Sequence, residues 1–137
     1  MKYILHSDGG ARGNPGPAGC GFLIQDEHNN ILFEGSKYIG ETTNNQAEYQ
    51  ALYLGLEKIK ELSDSKVETI DCYLDSELVV KQLKKEYKMK NPELRVWFDK
   101  VNLINMQLGN CLHFHHIMRE QNKKADQLAN EAMDKKT

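Results

Sequence analysis

The sequence predicts an α/β fold, a mixed β-sheet flanked by helices, in a single domain spanning residues 1–137. Three observations predict it. Short apolar runs bounded by turn residues fill the first 40 positions. The apolar period then lengthens to that of a helix. Strand-like and helix-like segments alternate from there on, which is the pattern that makes strands parallel neighbours.

The elements follow in order. KYILHS (2–7) is a short apolar run and reads as a buried strand. CGFLIQD (20–26) and ILFEGSKYIG (31–40) read as strands, with the tight-turn signal His28-Asn29-Asn30 between them. Strands joined this closely form an antiparallel meander. Thr43 and Asn44 are N-cap candidates for a helix with Leu52, Leu56, Ile59 and Leu62 at helical spacing. VETIDCYL (67–74) returns to strand chemistry, and SELVVKQLKKEY (76–87) to a helix. Asn91-Pro92 opens another helix, with Leu94, Trp97, Phe98, Val101 and Ile104 on its apolar stripe and Pro tolerated in the first turn. CLHFHHIM (111–118) is the last strand, and residues 122–133 form the last helix, with Ala125, Leu128, Ala129 and Ala132 facing inward.

Composition narrows the function classes. No apolar run approaches the ~20 residues that cross a bilayer, and MKYILHSDGG lacks the apolar core of a secretory signal. Cys20, Cys72 and Cys111 are odd in number and share no metal-ligand spacing, so they read as small buried hydrophobes of a cytoplasmic, reducing compartment. A net charge of −2 excludes a wholly basic nucleic-acid protein. Between Lys81 and Lys100, however, seven basic side chains face three acidic ones. That stretch is either a solvated helix face or a footprint for phosphates.

Four carboxylates stand in awkward places. Asp8 follows a buried strand and opens the glycine- and proline-rich run DGGARGNPGPAG, and Asp75 follows the strand that ends at Leu74. If those two strands are parallel neighbours, the two aspartates meet at one end of the sheet. Glu48 falls on the inward stripe of its helix, four residues before Leu52, and Asp126 stands beside the Ala125/Ala129 stripe. Singly, each could be a cap or a surface acid. Four carboxylates pushed inward together repel one another, and a hard divalent cation, Mg²⁺ or Mn²⁺, resolves that repulsion. The glycine run lacks the Lys-Ser/Thr and the helix that a phosphate-binding loop needs, and Pro15 and Pro17 oppose a dinucleotide fingerprint. It reads instead as a long hairpin connection where backbone approaches a bulky ligand, with Asn14 as a polar contact.

DGxxxxNPGPxG (8–19), TTNNxxE (42–48), LDSELV (74–79) and NxxADxLA (122–129), in this order, resemble type 1 ribonuclease H along nearly the whole chain. The resemblance implies a ribonuclease H-like fold with a five-stranded sheet of order 3-2-1-4-5. It implies hydrolysis of the RNA strand of an RNA/DNA hybrid by a monomer, leaving 5′-phosphate and 3′-hydroxyl ends. Asp8, Glu48, Asp75 and Asp126 match the family's metal-binding carboxylates, with two ions per site and Asp8 as the bridging ligand. Asn14, Thr43, Asn44, Asn45, Gln46 and Ser76 match its substrate contacts. Small polar groups of this kind suit a reader of the 2′-OH in a wide minor groove.

Three features depart from the family pattern. The segment before the last helix, Met118-Arg119-Glu120-Gln121, is short and has no histidine, which points to Arg119, Glu120 or Asn122 for the assistance a loop histidine gives elsewhere. His113, His115 and His116 lie within the last strand and read as side chains partnered by backbone or carboxylates rather than as a metal site. Residues 84–93 are too few for the basic handle of other members, and Glu41 and Glu77 replace residues that favour phosphate binding. Two rival readings share the fold: a hybrid-binding module without catalysis, for which a missing carboxylate would be the sign, and a DNA-directed nuclease, which the polar run 44–46 opposes.

Overall fold

The computed structural model describes residues 1–137. Three strands, β1 (Lys2–Ala11), β2 (Gly16–Asp26) and β3 (Ile31–Thr42), form an antiparallel meander. They are followed by α1 (Asn44–Leu62), β4 (Thr69–Leu74), α2 (Glu77–Leu83), α3 (Pro92–Gln107), β5 (Leu112–His116) and α4 (Lys123–Lys135). A single 3-10 turn, Arg119–Gln121, precedes α4. β4 lies parallel to β1, and β5 parallel to β4, so the sheet order is β3-β2-β1-β4-β5.

Alternation along the strands sorts the two faces. Leu5, Ile24, Ile70, Cys72 and Leu74 point toward α1, α2 and α3 and form one core with Leu52, Leu56, Ile59, Val79, Val101 and Ile104. α4 packs over β1, β2 and β3 on the opposite face. The three cysteines are buried and unpaired, as their apolar contexts predict. No helix is long and apolar enough to cross a membrane.

Several boundaries differ from the sequence reading, each for a physical reason. β1 does not stop at Ser7 but runs through Asp8, Gly9 and Gly10 to Ala11, because β2 begins at Gly16 and pairs with that whole length. The connection is therefore only Arg12–Pro15, and the peptide between Asn14 and Pro15 is cis. Some of the glycines serve helix packing rather than a ligand. A Cβ on Gly9 would fall on the Ala47 carbonyl of α1, and one on Gly21 would fall on α4 at Ala125 and Ala129. α2 ends at Leu83, since Lys85 takes a left-handed conformation (φ 64°) that no helix continues through. Thr43 rather than Asn44 caps α1, its Oγ1 accepting from the Gln46 N–H at 3.3 Å.

The glycine contacts predict a contrast between neighbours in the chain. Gly9→Ala should cost about 3 kcal/mol or more, because backbone has to move to admit the methyl group. Gly10→Ala meets nothing closer than the Met133 Cε at 3.8 Å and should cost less than about 1 kcal/mol. Thermal unfolding of the two variants tests this, with the Gly9 variant expected to melt roughly 10 °C lower. Equal melting temperatures would refute the close-approach account.

Candidate active site

Asp8 sits where β1 loses one neighbour. Its pairing with β4 ends at Ser7 and Leu74, while its pairing with β2 continues to Ala11, so the β1 edge beside Asp8 is open. Asp75 follows Leu74 directly and stands beside that opening. Glu48 enters from α1, four residues past the Asn44 start of the helix, on the stripe it shares with Ala47, Ala51 and Leu52. The close seating of α1 on Gly9 carries its carboxylate to the strand end. Oxygens of Asp8, Glu48 and Asp75 all lie within 4.8 Å of one another. Asp126, in the first turn of α4, lines the same cleft and acts on Asp8 from the α4 side.

The electrostatics are those of a site short of positive charge. Asp8 and Glu48 are each 7% exposed, and Glu48 Oε2 is buried without a hydrogen-bond partner. Burial, aided by the charges of Asp75 and Asp126, pushes the Asp8 carboxyl up to about 7. Burial also holds Glu48 well above the ordinary carboxylate range, with Asp8 and Asp75 adding to it and a hydrogen bond from the Gly9 N–H opposing it. Of the two arginines that line the cleft, Arg12 pairs with Asp134, and Arg119, whose Nη2 lies 3.6 Å from Asp126 Oδ1, is 80% exposed and lends little. An orphaned carboxylate oxygen among all-oxygen donors fits a hard divalent cation, so the trio could hold a metal ion.

The other predicted residues divide by position. Asn44, Asn45, Ser76 and Arg119 line the cleft. Asn14 and Asn44 are tied to the scaffold: the Asn44 N–H donates to Asn14 Oδ1 (3.0 Å), and the Ala11 N–H donates to Asn44 Oδ1 (2.7 Å). Their amide NH₂ groups carry no intramolecular bond. Ser76 caps α2, its Oγ accepting from the Val79 N–H. Gln46 points away from the acidic cluster, its amide donating to Glu93 Oε2 of α3 at 2.8 Å. Glu120 is exposed in the 3-10 turn and is not part of the cleft lining.

Asn122 is no loop residue in character. It is 2% exposed, and its Nδ2 donates to the Ser7 carbonyl (2.9 Å) and to Asp75 Oδ2 (3.2 Å). Of the strand histidines, His115 has the expected carboxylate partner, its Nε2 bonding Asp71 Oδ1 at 2.8 Å, whereas the His113 and His116 side chains are exposed and have no hydrogen-bond partner. Sequence reasoning missed Arg12 at the cleft rim, which pairs with Asp134 of α4 (2.6 Å) and donates to Asn130 Oδ1 (3.4 Å). No local pattern marks it, because its partners lie more than 110 residues away in the chain. The basic stretch is partly engaged: Lys81 pairs with Glu77 and Arg95 with Asp99, and Lys100 lies 4.5 Å from the centre of the Trp97 ring. Lys84, Lys85, Lys88 and Lys90 are exposed and make no ion pair in the α2–α3 connection.

An acidic cluster at the end of the parallel pair in a 3-2-1-4-5 mixed sheet defines a ribonuclease H-like fold. Comparison with known proteins agrees. Residues 6–132 match the family described as "Reverse transcriptase-like". The chain is 40% identical to ribonuclease HI of Halobacterium salinarum over 134 residues, which is 97% of this chain and 65% of that protein. It is 37% identical to a bifunctional protein of Mycobacterium tuberculosis, spanning 98% of this chain but only 36% of that relative's length. Among solved structures, LC11-RNase H1 in complex with an RNA/DNA hybrid superposes with a TM-score of 0.94 at 50% identity, covering 98% of both chains. The chain belongs to the type 1 ribonuclease H family.

The raised carboxyls set a pH dependence. A folded-state value above the ordinary 3.8 contributes stability that is complete below about 4 and is lost as pH climbs through about 7. The metal-free protein should therefore melt progressively lower between pH 4 and 7. Asp8→Asn should remove most of that decline and raise the melting temperature at pH 8 by several degrees. Added Mg²⁺ should stabilise the wild type at pH 8 and leave the variant nearly unchanged. A flat wild-type profile would contradict this electrostatic account.

Proposed function

We propose that the protein is an endonuclease that hydrolyses the RNA strand of RNA/DNA hybrids, leaving 5′-phosphate and 3′-hydroxyl ends. The observation that carries this reading is the convergence of the Asp8, Glu48 and Asp75 carboxylates around an unpartnered oxygen. The hybrid bound by a neighbour of 50% identity supports the choice of substrate. In this reading Asp8, Glu48, Asp75 and Asp126 would hold two Mg²⁺ or Mn²⁺ ions. Bound there, such ions supply an activated water for in-line attack on the scissile phosphate and charge stabilisation of the leaving 3′ oxygen.

The chain's own groups do the rest. Asn45, Ser76 and the free amide NH₂ groups of Asn14 and Asn44 offer short, pre-oriented polar contacts to a minor groove, and a reader of the 2′-OH needs contacts of that kind. Thr43, at the N-terminus of α1, offers the phosphate of the DNA strand a contact where the helix dipole favours it. Gln46, tied to Glu93, presents its remaining carbonyl oxygen at the flank of that surface. Arg119 turns from Asp126 to the scissile phosphate, and Glu120 is the carboxylate within the same turn that takes up a proton from solvent. The exposed lysines between α2 and α3 supply the phosphate grip that a basic handle gives elsewhere. The protein acts as a monomer in the cytoplasm, a setting that suits its three reduced, buried thiols.

The experiment is cleavage of a labelled hybrid, with all-RNA and all-DNA duplexes of the same sequence alongside. The wild type should cut only the RNA of the hybrid, with either Mg²⁺ or Mn²⁺, and Asp75→Asn should lose at least ~100-fold in rate. Binding without cleavage would favour a non-catalytic module, and cutting of the all-DNA duplex would favour a DNA-directed nuclease. Arg119→Ala and Glu120→Ala test the turn: if both leave turnover unchanged, its proposed part in the reaction is wrong.

A further inference from the structure

The cleft that holds the carboxylates continues past them, along α4, to a second set of polar groups. At about 360 Å³ it is far larger than a pair of ions needs, and Arg12, Asn130 and Met133 line it together with the four acids. Asp126 and Asn130 are one turn apart on α4, so about 6 Å of helix separates them. The wall between is low. Ala129 has only a methyl group, and a Cβ placed on Gly10 would meet nothing closer than Met133 Cε at 3.8 Å and Asn44 Oδ1 at 3.9 Å.

Arg12 is held in that extension and not released into the acidic cluster. Its Nη1 pairs with Asp134 Oδ1 (2.6 Å), and its Nη2 donates to Asn130 Oδ1 (3.4 Å). The Asn130 amide is itself oriented, because its Nδ2 donates to the Asp126 carbonyl at 3.0 Å. The backbone is fixed as well. The Arg12 N–H donates to the Pro17 carbonyl at 2.8 Å, and Gly16 packs so closely that a Cβ there would fall on the Arg12 carbonyl. The Arg12 and Asp134 side chains are 47% and 63% exposed, so their pair adds little stability and serves to aim the guanidinium. These contacts engage at most two of its five N–H groups and leave at least three free. A cation kept in an acidic cleft, tethered off the carboxylates and with donors to spare, suits an anion that runs along the cleft.

We propose that Arg12, with Asn130, seats the RNA-strand phosphate next to the scissile one. The inference rests on the reading of the chain as a nuclease of RNA/DNA hybrids. With the scissile phosphate at the carboxylates, a neighbouring ribose lies over Gly10 and Ala129, and the phosphate beyond it reaches Arg12 one helical turn past Asp126. The contact gives grip and register on the RNA strand and takes no part in breaking the bond.

The test is hybrid binding by the full chain across a range of salt concentrations, in an Asp75→Asn background so that the hybrid stays intact. Arg12→Ala should weaken binding about tenfold. It should also flatten the slope of log affinity against log salt by about one, the signature of one lost phosphate contact. Arg12→Lys should keep the slope and lose only part of the affinity. Asp134→Ala breaks the same pair but leaves the guanidinium, so it should bind at least as tightly as its parent with an unchanged slope. A neutral methylphosphonate at one of the two RNA phosphates flanking the mapped cleavage position should weaken the parent and leave Arg12→Ala unaffected. An unchanged slope in Arg12→Ala, or an equal loss in Asp134→Ala, would overturn the proposal, since either marks the pair as a strap for the β1–β2 connection. Hybrid bound but not cut by the wild type would count against the nuclease reading alone, and the salt slopes would still decide the part played by Arg12. No hybrid bound by the wild type would overturn both.

Discussion

The site depends on one backbone-to-backbone contact, the seating of α1 on β1 at Gly9. With no side chain between them, the Ala47 carbonyl rests on the strand, and Glu48, the next residue, is carried to the open strand end beside Asp8. The same approach lets the Gly9 N–H face the Glu48 carboxylate. Any Cβ at residue 9 forces the layers apart, and the two carboxylates with them. The glycine is therefore a packing residue and a distance-setting residue at once, and neither purpose can change without the other.

That contact creates an electrostatic problem which the fold leaves unsolved. Burial and mutual repulsion raise both carboxyls, and the two exposed arginines at the edge, Arg12 and Arg119, pair with Asp134 and Asp126 rather than with them. A structural ion pair would have neutralised the cluster permanently. An uncompensated cluster instead keeps affinity for whatever positive charge arrives, which is what a metal-dependent site requires and what a purely structural one avoids. Without a cation, burial and the neighbouring carboxylates favour the neutral form of Glu48, and the Glu48 contact offsets part of the rise at Asp8.

Much of this was legible in the sequence because it is written in local patterns. A glutamate on an apolar helical stripe, and aspartates directly after buried strands, are anomalies against a simple background, and the structure brings Asp8, Glu48 and Asp75 together. The meander and the parallel direction of the later strands followed from element spacing in the same way, whereas the order 3-2-1-4-5 followed from the family resemblance. The glycines were harder, since a glycine-rich run signals close approach without saying what approaches. Here Gly9 and Gly21 admit helices rather than a ligand, and β1 and β2 run on through the region read as a turn. Gln46 was read as a substrate contact from the family resemblance, and nothing in the sequence signals its bond to Glu93 of α3, 47 residues away. Arg12 was opaque for a different reason: its partners, Asn130 and Asp134, lie far along the chain, and no periodicity records such a meeting.

The two faces of the sheet support the site by different physics. On the α1 face a hydrophobic core holds Leu5, Ile70 and Leu74, and with them the backbone that carries Asp8 and Asp75. On the other face α4 covers β1 to β3, and toward β5 the support passes to side chains. Stacked rings suit that position because they tolerate one wet edge while their faces stay dry, whereas aliphatic residues there would present an apolar patch to solvent. The rings are those of His6 of β1, Tyr73 of β4 and His115 of β5, and the His115 rim also bonds Asp71. The orientation of Asp75 is set from the backbone side: the Asn122 amide donates to the Ser7 carbonyl of β1 and to Asp75 at once, so the strand that carries Asp8 also fixes the side chain that holds Asp75.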